Sequence, residues 1–66
     1  MKITLNGEQK HIKDNLTLSD LINDLNLDLT KVAVEINLQI AIPEEYANCN
    51  LKDGDEIEIV HFIGGG

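Results

Sequence analysis

Three consecutive glycines, Gly64, Gly65 and Gly66, close the chain, and the terminal carboxylate is the group here best suited to react. Glycine has no Cβ, so such a segment is thin and conformationally free. Fully extended, three residues reach roughly 10 Å. That length carries a carboxylate into another protein's active site while a folded body stays outside, and any side chain would widen the thread. The same residues are compatible with a frayed terminus, because chain ends are often disordered. A strand pattern that runs into them with no linker favours the thread. The expectation is a carrier whose own end is acted upon, not an enzyme.

The other reactive side chains point to no competing chemistry. His11 and His61 are far apart in sequence, and no further ligand is suitably spaced, so no metal site is expected. Cys49 lies between two asparagines with no activating cation beside it, so it reads as a small structural residue, with a covalent link to a partner as the alternative. Asp53-Gly54-Asp55-Glu56 resembles a fragment of a calcium loop. An EF-hand needs twelve residues with ligands at fixed positions, so a plain turn is expected. No Ser/His/Asp arrangement is present, and no glycine-rich loop precedes a helix to cradle phosphate.

Size supports a presented end over an enclosed site. A chain of 66 residues forms one domain, and at that size it buries only about 60% of the surface its unfolded form exposes. Pockets for substrates usually measure roughly 300–1,000 Å³, and few residues are free to wall one. Five lysines and no arginine face twelve acids, for a net charge of −7. That balance argues against nucleic acid as a partner and favours solubility and basic protein surfaces. A single cysteine allows no internal disulfide, and no apolar run approaches the ~20 residues of a membrane span. With no basic-then-apolar leader at Met1, a reducing cytoplasm is the expected compartment.

The elements that must position the tail follow from periodicity. Met1, Ile3 and Leu5 alternate with Lys2, Thr4 and Asn6, which marks a strand with one buried side. Asn6-Gly7 is a strong hairpin signal, because both residues tolerate positive φ, and Glu8 to Lys13 should return as a second strand. Thr17 and Asp20 stand at the capping-box positions, with Leu16 and Leu21 at the staple positions. Leu18, Leu21, Ile22 and Leu25 then share one helical face, and Asn26 is a left-handed stop. Val32 to Asn37 is a third strand and Gln39 to Ile42 a short fourth. Pro43 opens a helical turn through Tyr46, Lys52 to Asp55 turns, and Glu56 to Ile63 is the last strand. One helix with strands on both sides of it predicts an α+β domain, a ubiquitin-like β-grasp with a mixed sheet packed on one main helix. The expected division is a β-grasp body over residues 1–63 and a glycine tail over 64–66.

In the last strand Ile57 and Ile59 alternate with Glu56 and Glu58, but Val60 and Phe62 then fall on the side of the acids. Both should lie away from the helix, on the outer sheet face or at the strand's exit. A bulge or local edge packing would explain this, and so would an apolar docking patch beside the tail made by Val60, Phe62 and Ile63.

The whole chain resembles the small sulfur carriers of thiamin thiazole biosynthesis. The resemblance runs through Met1-Lys2-Ile3-Thr4-Leu5-Asn6-Gly7, Leu16-Thr17-Leu18-Ser19-Asp20-Leu21-Ile22, Val34-Glu35-Ile36-Asn37 with Ile42-Pro43, and Leu51-Lys52-Asp53-Gly54-Asp55-Glu56-Ile57 with Gly64-Gly65-Gly66. It implies a β-grasp fold and a C-terminal glycine that carries sulfur, so Gly66 would be the reacting residue, with Gly65 and Gly64 as its tail. It also implies an E1-like adenylating enzyme that consumes ATP, a cysteine desulfurase or other persulfide donor, and thiazole synthase as recipient. The carrier itself would hold no cofactor. The small subunit of molybdopterin synthase and ubiquitin-like protein modifiers share the fold and the glycine end, and they remain the alternatives together with a plain interaction module whose tail is inert.

Overall fold

The computed structural model describes residues 1–62. Strand β1 (Lys2–Leu5) turns through Asn6 and Gly7, at φ 51° and 83°, into the antiparallel β2 (Glu8–His11). Helix α1 (Leu18–Asp24) follows, then a 3₁₀ turn at Leu29–Lys31 that the periodicity did not indicate. Strands β3 (Val32–Ile36) and β4 (Gln39–Ala41) form a second hairpin, and a 3₁₀ segment at Pro43–Asn48 leads toward β5 (Glu56–His61). The sheet order is β2-β1-β5-β3-β4, with β5 parallel to β1 and antiparallel to β3. The final strand thus occupies the centre of a mixed sheet, as a β-grasp requires.

Local sequence explains most of these boundaries. The Thr17 hydroxyl accepts the Asp20 N–H at 3.1 Å, and the Asp20 carboxylate accepts the Thr17 N–H at 3.0 Å. The expected capping box therefore forms; a cap of this kind contributes typically ~1 kcal/mol. Asn26 adopts φ 59° just beyond the helix, the left-handed stop expected of it. The chain before the helix is tied to the chain before β5: the Leu18 N–H donates to the Cys49 carbonyl (2.8 Å) and the Leu51 N–H to the Leu16 carbonyl (2.9 Å).

Strand alternation places the core. Ile3, Ile57 and Ile59 of the central strands, with Val32 and Val34 of β3, pack in one cluster with Leu18, Leu21 and Ile22 of the helix, and Tyr46 and Leu51 belong to it. Ile3, Leu18, Leu21, Ile22 and Ile57 are almost wholly removed from water. Aliphatic side chains carry this core, and among the described residues Tyr46 is the one aromatic residue in it.

Two short polar devices hold the start of β5. The buried Asp55 carboxylate accepts the Lys52 N–H (2.7 Å) and the Asn37 side-chain amide (3.0 Å), while the Asn37 carbonyl oxygen accepts the Glu56 N–H (2.9 Å). Asn37 itself sits at φ 51° in the β3–β4 turn. Asp53 accepts the Lys2 N–H at 2.7 Å. The acidic turn thus locks β5 to β1 and β3 and has its carboxylates engaged by the protein's own N–H groups.

Candidate functional site

The candidate site is the exit of β5. Ile57 and Ile59 anchor this strand in the core, and its register with β3 runs from Ile36↔Ile57 to Val32↔His61. Beyond His61, the Phe62 N–H still donates to the Lys31 carbonyl at 2.7 Å. The expected strand reached Ile63; the structure ends it at His61, with Phe62 continuing the pairing to Lys31. Ile63, expected in the docking patch, and the tail residues Gly64, Gly65 and Gly66 lie outside the described residues.

The two apolar side chains flagged beside the tail border different surfaces. Val60 lies on the outer face opposite Ala33, as its parity requires. There it joins Leu38, Ile40, Glu35 and Glu58 around a shallow concavity of about 550 Å³. Phe62 sits at the exit and borders a recess of similar volume on the helix side, against Leu29, Val32, Pro43 and Tyr46. Among the described residues, none lines both recesses. Once the strand has ended, period-two alternation no longer governs where Phe62 points.

The outer face combines exposed apolar surface with acidic side chains. Ile40 is 80% exposed and Leu38 89%. Leu38 is held at φ 69°, a region that residues other than glycine seldom enter. Glu35 and Glu58 lie directly opposite each other in register, an arrangement of like charges that is unfavourable within a sheet. No lysine is among the residues lining this concavity.

The remaining reactive groups have structural surroundings. His11 ends β2 and His61 ends β5, with β1 between those strands, and among the described residues no group of three metal-ligating side chains converges. The half-buried Cys49 thiol is pushed up by burial, with Asp55 adding to the effect, so it is a weak nucleophile near neutral pH. Burial likewise raises the Tyr46 phenol. The exposed Asp28 carboxylate is held below its ordinary value by the hydroxyl and N–H of Thr30, a local turn.

Sequence reasoning missed Asn6. Its backbone makes the expected hairpin turn, but its side chain reaches across to β5 and bonds both backbone groups of Ile59. The Asn-Gly pair signals only the turn. A contact between residues 53 positions apart has no counterpart in local spacing.

Comparison with solved structures places the architecture in the ubiquitin-like β-grasp class. The crystal structure of the thiamine biosynthesis protein ThiS from Geobacter metallireducens superposes with a TM-score of 0.85 at 30% identity, with both chains fully covered. At the sequence level, the ThiS family model matches residues 3–66, and the chain belongs to the ThiS family. The sulfur carrier protein ThiS of Bacillus subtilis is 45% identical over 65 residues, spanning 97% of this chain and 98% of that one. Thiazole synthase of Paramagnetospirillum magneticum is 46% identical over all 66 residues, but the chain spans only 20% of its length. Thiazole synthase of Magnetococcus marinus matches in the same way, at 44% identity. Among the described residues no helix is long and apolar enough to cross a membrane.

Proposed function

We propose that this chain is a sulfur carrier of thiamin biosynthesis whose reacting group is the carboxylate of Gly66. The observation that carries the reading is its likeness, over nearly the full length of both chains, to the sulfur carrier of Bacillus subtilis, in a chain that ends Gly64-Gly65-Gly66. The proposed division of labour is a β-grasp body over residues 1–63 and a reactive tail over 64–66.

The chemistry needs no base or metal from the carrier. A carboxylate is a poor electrophile, being anionic and without a leaving group. An E1-like enzyme joins it to AMP from ATP and releases pyrophosphate, which leaves a mixed anhydride. The terminal sulfur of a persulfide then attacks the acyl carbon, AMP departs, and an acyl disulfide forms. A thiol cleaves the S–S bond and becomes the disulfide partner, leaving a thiocarboxylate on Gly66. Thiazole synthase is the proposed recipient, a choice supported by the two thiazole synthases that contain a matching segment.

The body contributes a rigid origin for the tail and surfaces on which partners dock. Val60, Phe62 and Ile63 are the proposed docking residues, and the exposed Leu38 and Ile40 extend the apolar area on Val60's side. Glu35 and Glu58 suit a partner that brings a basic side chain beside an apolar one.

Intact-mass measurement on protein incubated with ATP, the adenylating enzyme and a persulfide donor tests the function. Replacement of one oxygen by sulfur at Gly66 is the expected result. Ladders of lysine conjugates would make the chain a protein modifier, and sulfur delivery to molybdopterin synthase but not to thiazole synthase would reassign the pathway. For docking, Phe62→Asp should weaken binding to the adenylating enzyme by about tenfold or more. Phe62 is half-exposed and outside the buried core, so stability should change little. Unchanged affinity by titration calorimetry would remove Phe62 from the docking surface.

A further inference from the structure

We propose that Asn6 is a positioning residue for the carrier reaction, its carboxamide standing in for a missing strand peptide and clamping the exit half of β5. The inference rests on the sulfur-carrier reading above.

The backbone ladder between β1 and β5 is short. The Thr4 N–H donates to the Asp55 carbonyl (2.9 Å) and the Asn6 N–H to the Ile57 carbonyl (2.8 Å). The register pairs only Thr4 with Glu56 and Leu5 with Ile57. A continuing β1 would next offer a carbonyl to the Ile59 N–H and an N–H to the Ile59 carbonyl. The backbone cannot supply them, because Asn6 enters the left-handed region at φ 51° and the chain turns back into β2.

The Asn6 side chain supplies both groups. Its Oδ1 accepts the Ile59 N–H at 2.8 Å, and its Nδ2 donates to the Ile59 carbonyl at 3.3 Å. A carboxamide has the same donor and acceptor set as a peptide bond. Among the common side chains asparagine meets three demands at once: tolerance of positive φ, a donor with an acceptor, and a stem one carbon long. Aspartate lacks the donor, and glycine lacks both groups. The parallel ladder is thereby extended by one rung, to within three residues of Phe62. That rung fixes the line along which the strand delivers the tail to a partner's active site.

Asn37 makes a matched comparison at the other end of β5. It too sits at positive φ in a hairpin turn and bonds the strand through its carboxamide, at Glu56. Loss of that bond should lower stability without disturbing the exit.

The test compares Asn6→Gly, Asn6→Asp and Asn37→Gly in the full chain. Glycine keeps the left-handed turn free of strain in both hairpins. Amide exchange of Ile59 is measured by NMR. Pyrophosphate release is measured with an E1-like adenylating enzyme and ATP, below the melting transition. In Asn6→Gly, Ile59 should exchange about tenfold faster, and kcat should fall by about tenfold with KM for the carrier within twofold. Asn6→Asp, which retains only the acceptor, should fall between. Asn37→Gly should melt earlier with kcat unchanged.

An unaltered kcat in Asn6→Gly despite fast Ile59 exchange would make the contact purely structural and overturn the proposal. Equal loss of kcat in Asn37→Gly would do the same, since any destabilisation of β5 would then suffice. Unchanged Ile59 protection would show that the rung does not hold in solution. If the unsubstituted chain releases no pyrophosphate, the carrier reading fails and the positioning claim with it. Exchange at Ile59 would still report whether the clamp exists.

Discussion

Deletion of Gly66 will abolish adenylation and sulfur loading while leaving the melting transition where it is in the full chain. The two halves of this expectation have separate physical origins. The described core residues all lie between Ile3 and Ile59, and the last described backbone tether is that of Phe62 to Lys31. Removing the final glycine takes away none of these, so a shift in melting temperature within about 1 °C is expected. The reaction is far less tolerant. Shortening the chain by one residue withdraws the carboxylate by about 3.3–3.6 Å if the thread is extended. Misplacement by even ~1 Å can cost ~10²-fold when geometry carries the catalysis. A loss of at least ~10³-fold in pyrophosphate release is the expected reading. Full activity in the truncated chain would show that another group reacts, and a lowered melt would show that the last glycine belongs to the folded body.

The second large effect is on stability. Ile57→Ala should unfold much of the population near 50 °C or below and lower the melting temperature by roughly 10–30 °C. Ile57 is 1% exposed, lies in the central strand, and pairs in register with Leu5 on one side and Ile36 on the other. Truncation removes its buried carbons and leaves a cavity between sheet and helix, at a cost of about 2–5 kcal/mol. A domain of 66 residues holds only ~3–10 kcal/mol in total, so one such loss takes a large share of it. Leu38→Ser serves as the control. Leu38 is as apolar but 89% exposed, and its replacement should change stability by less than ~0.5 kcal/mol. Scanning calorimetry on both variants decides the matter. A small shift in Ile57→Ala would mean that the helix collapses onto the vacated space, and that the core is less rigid than the packing of Ile3, Leu18 and Ile22 implies.

Several elements of this fold are set by neighbouring residues alone. The helix start was written in Thr17 and Asp20, because a capping box needs only residues three apart, and the two partners meet as soon as one turn forms. The hairpin at Asn6-Gly7 and the stop at Asn26 likewise depend on the φ preference of single residues. The same holds for the inward set Ile3, Val32, Val34, Ile57 and Ile59, which follows from a period of two. The 3₁₀ turn at Leu29–Lys31 carried no such periodic mark, and Asp28 caps it through Thr30 in a pattern too short to stand out.

Composition and order alone therefore determined an acidic α+β domain with one capped helix, an aliphatic core and a side-chain-free end, because each of those properties is set by residues within a few positions of one another. Only the tertiary structure decided that β5 lies between β1 and β3, that Asp55 is buried with its carboxylate engaged, and that Val60 and Phe62 open onto opposite surfaces. It also decided that the Asn6 carboxamide completes a rung on Ile59. Those outcomes depend on hydrogen bonds and packing between segments up to 53 residues apart, and such pairings are chosen by the whole core as it forms, not by the spacing of the residues that make them.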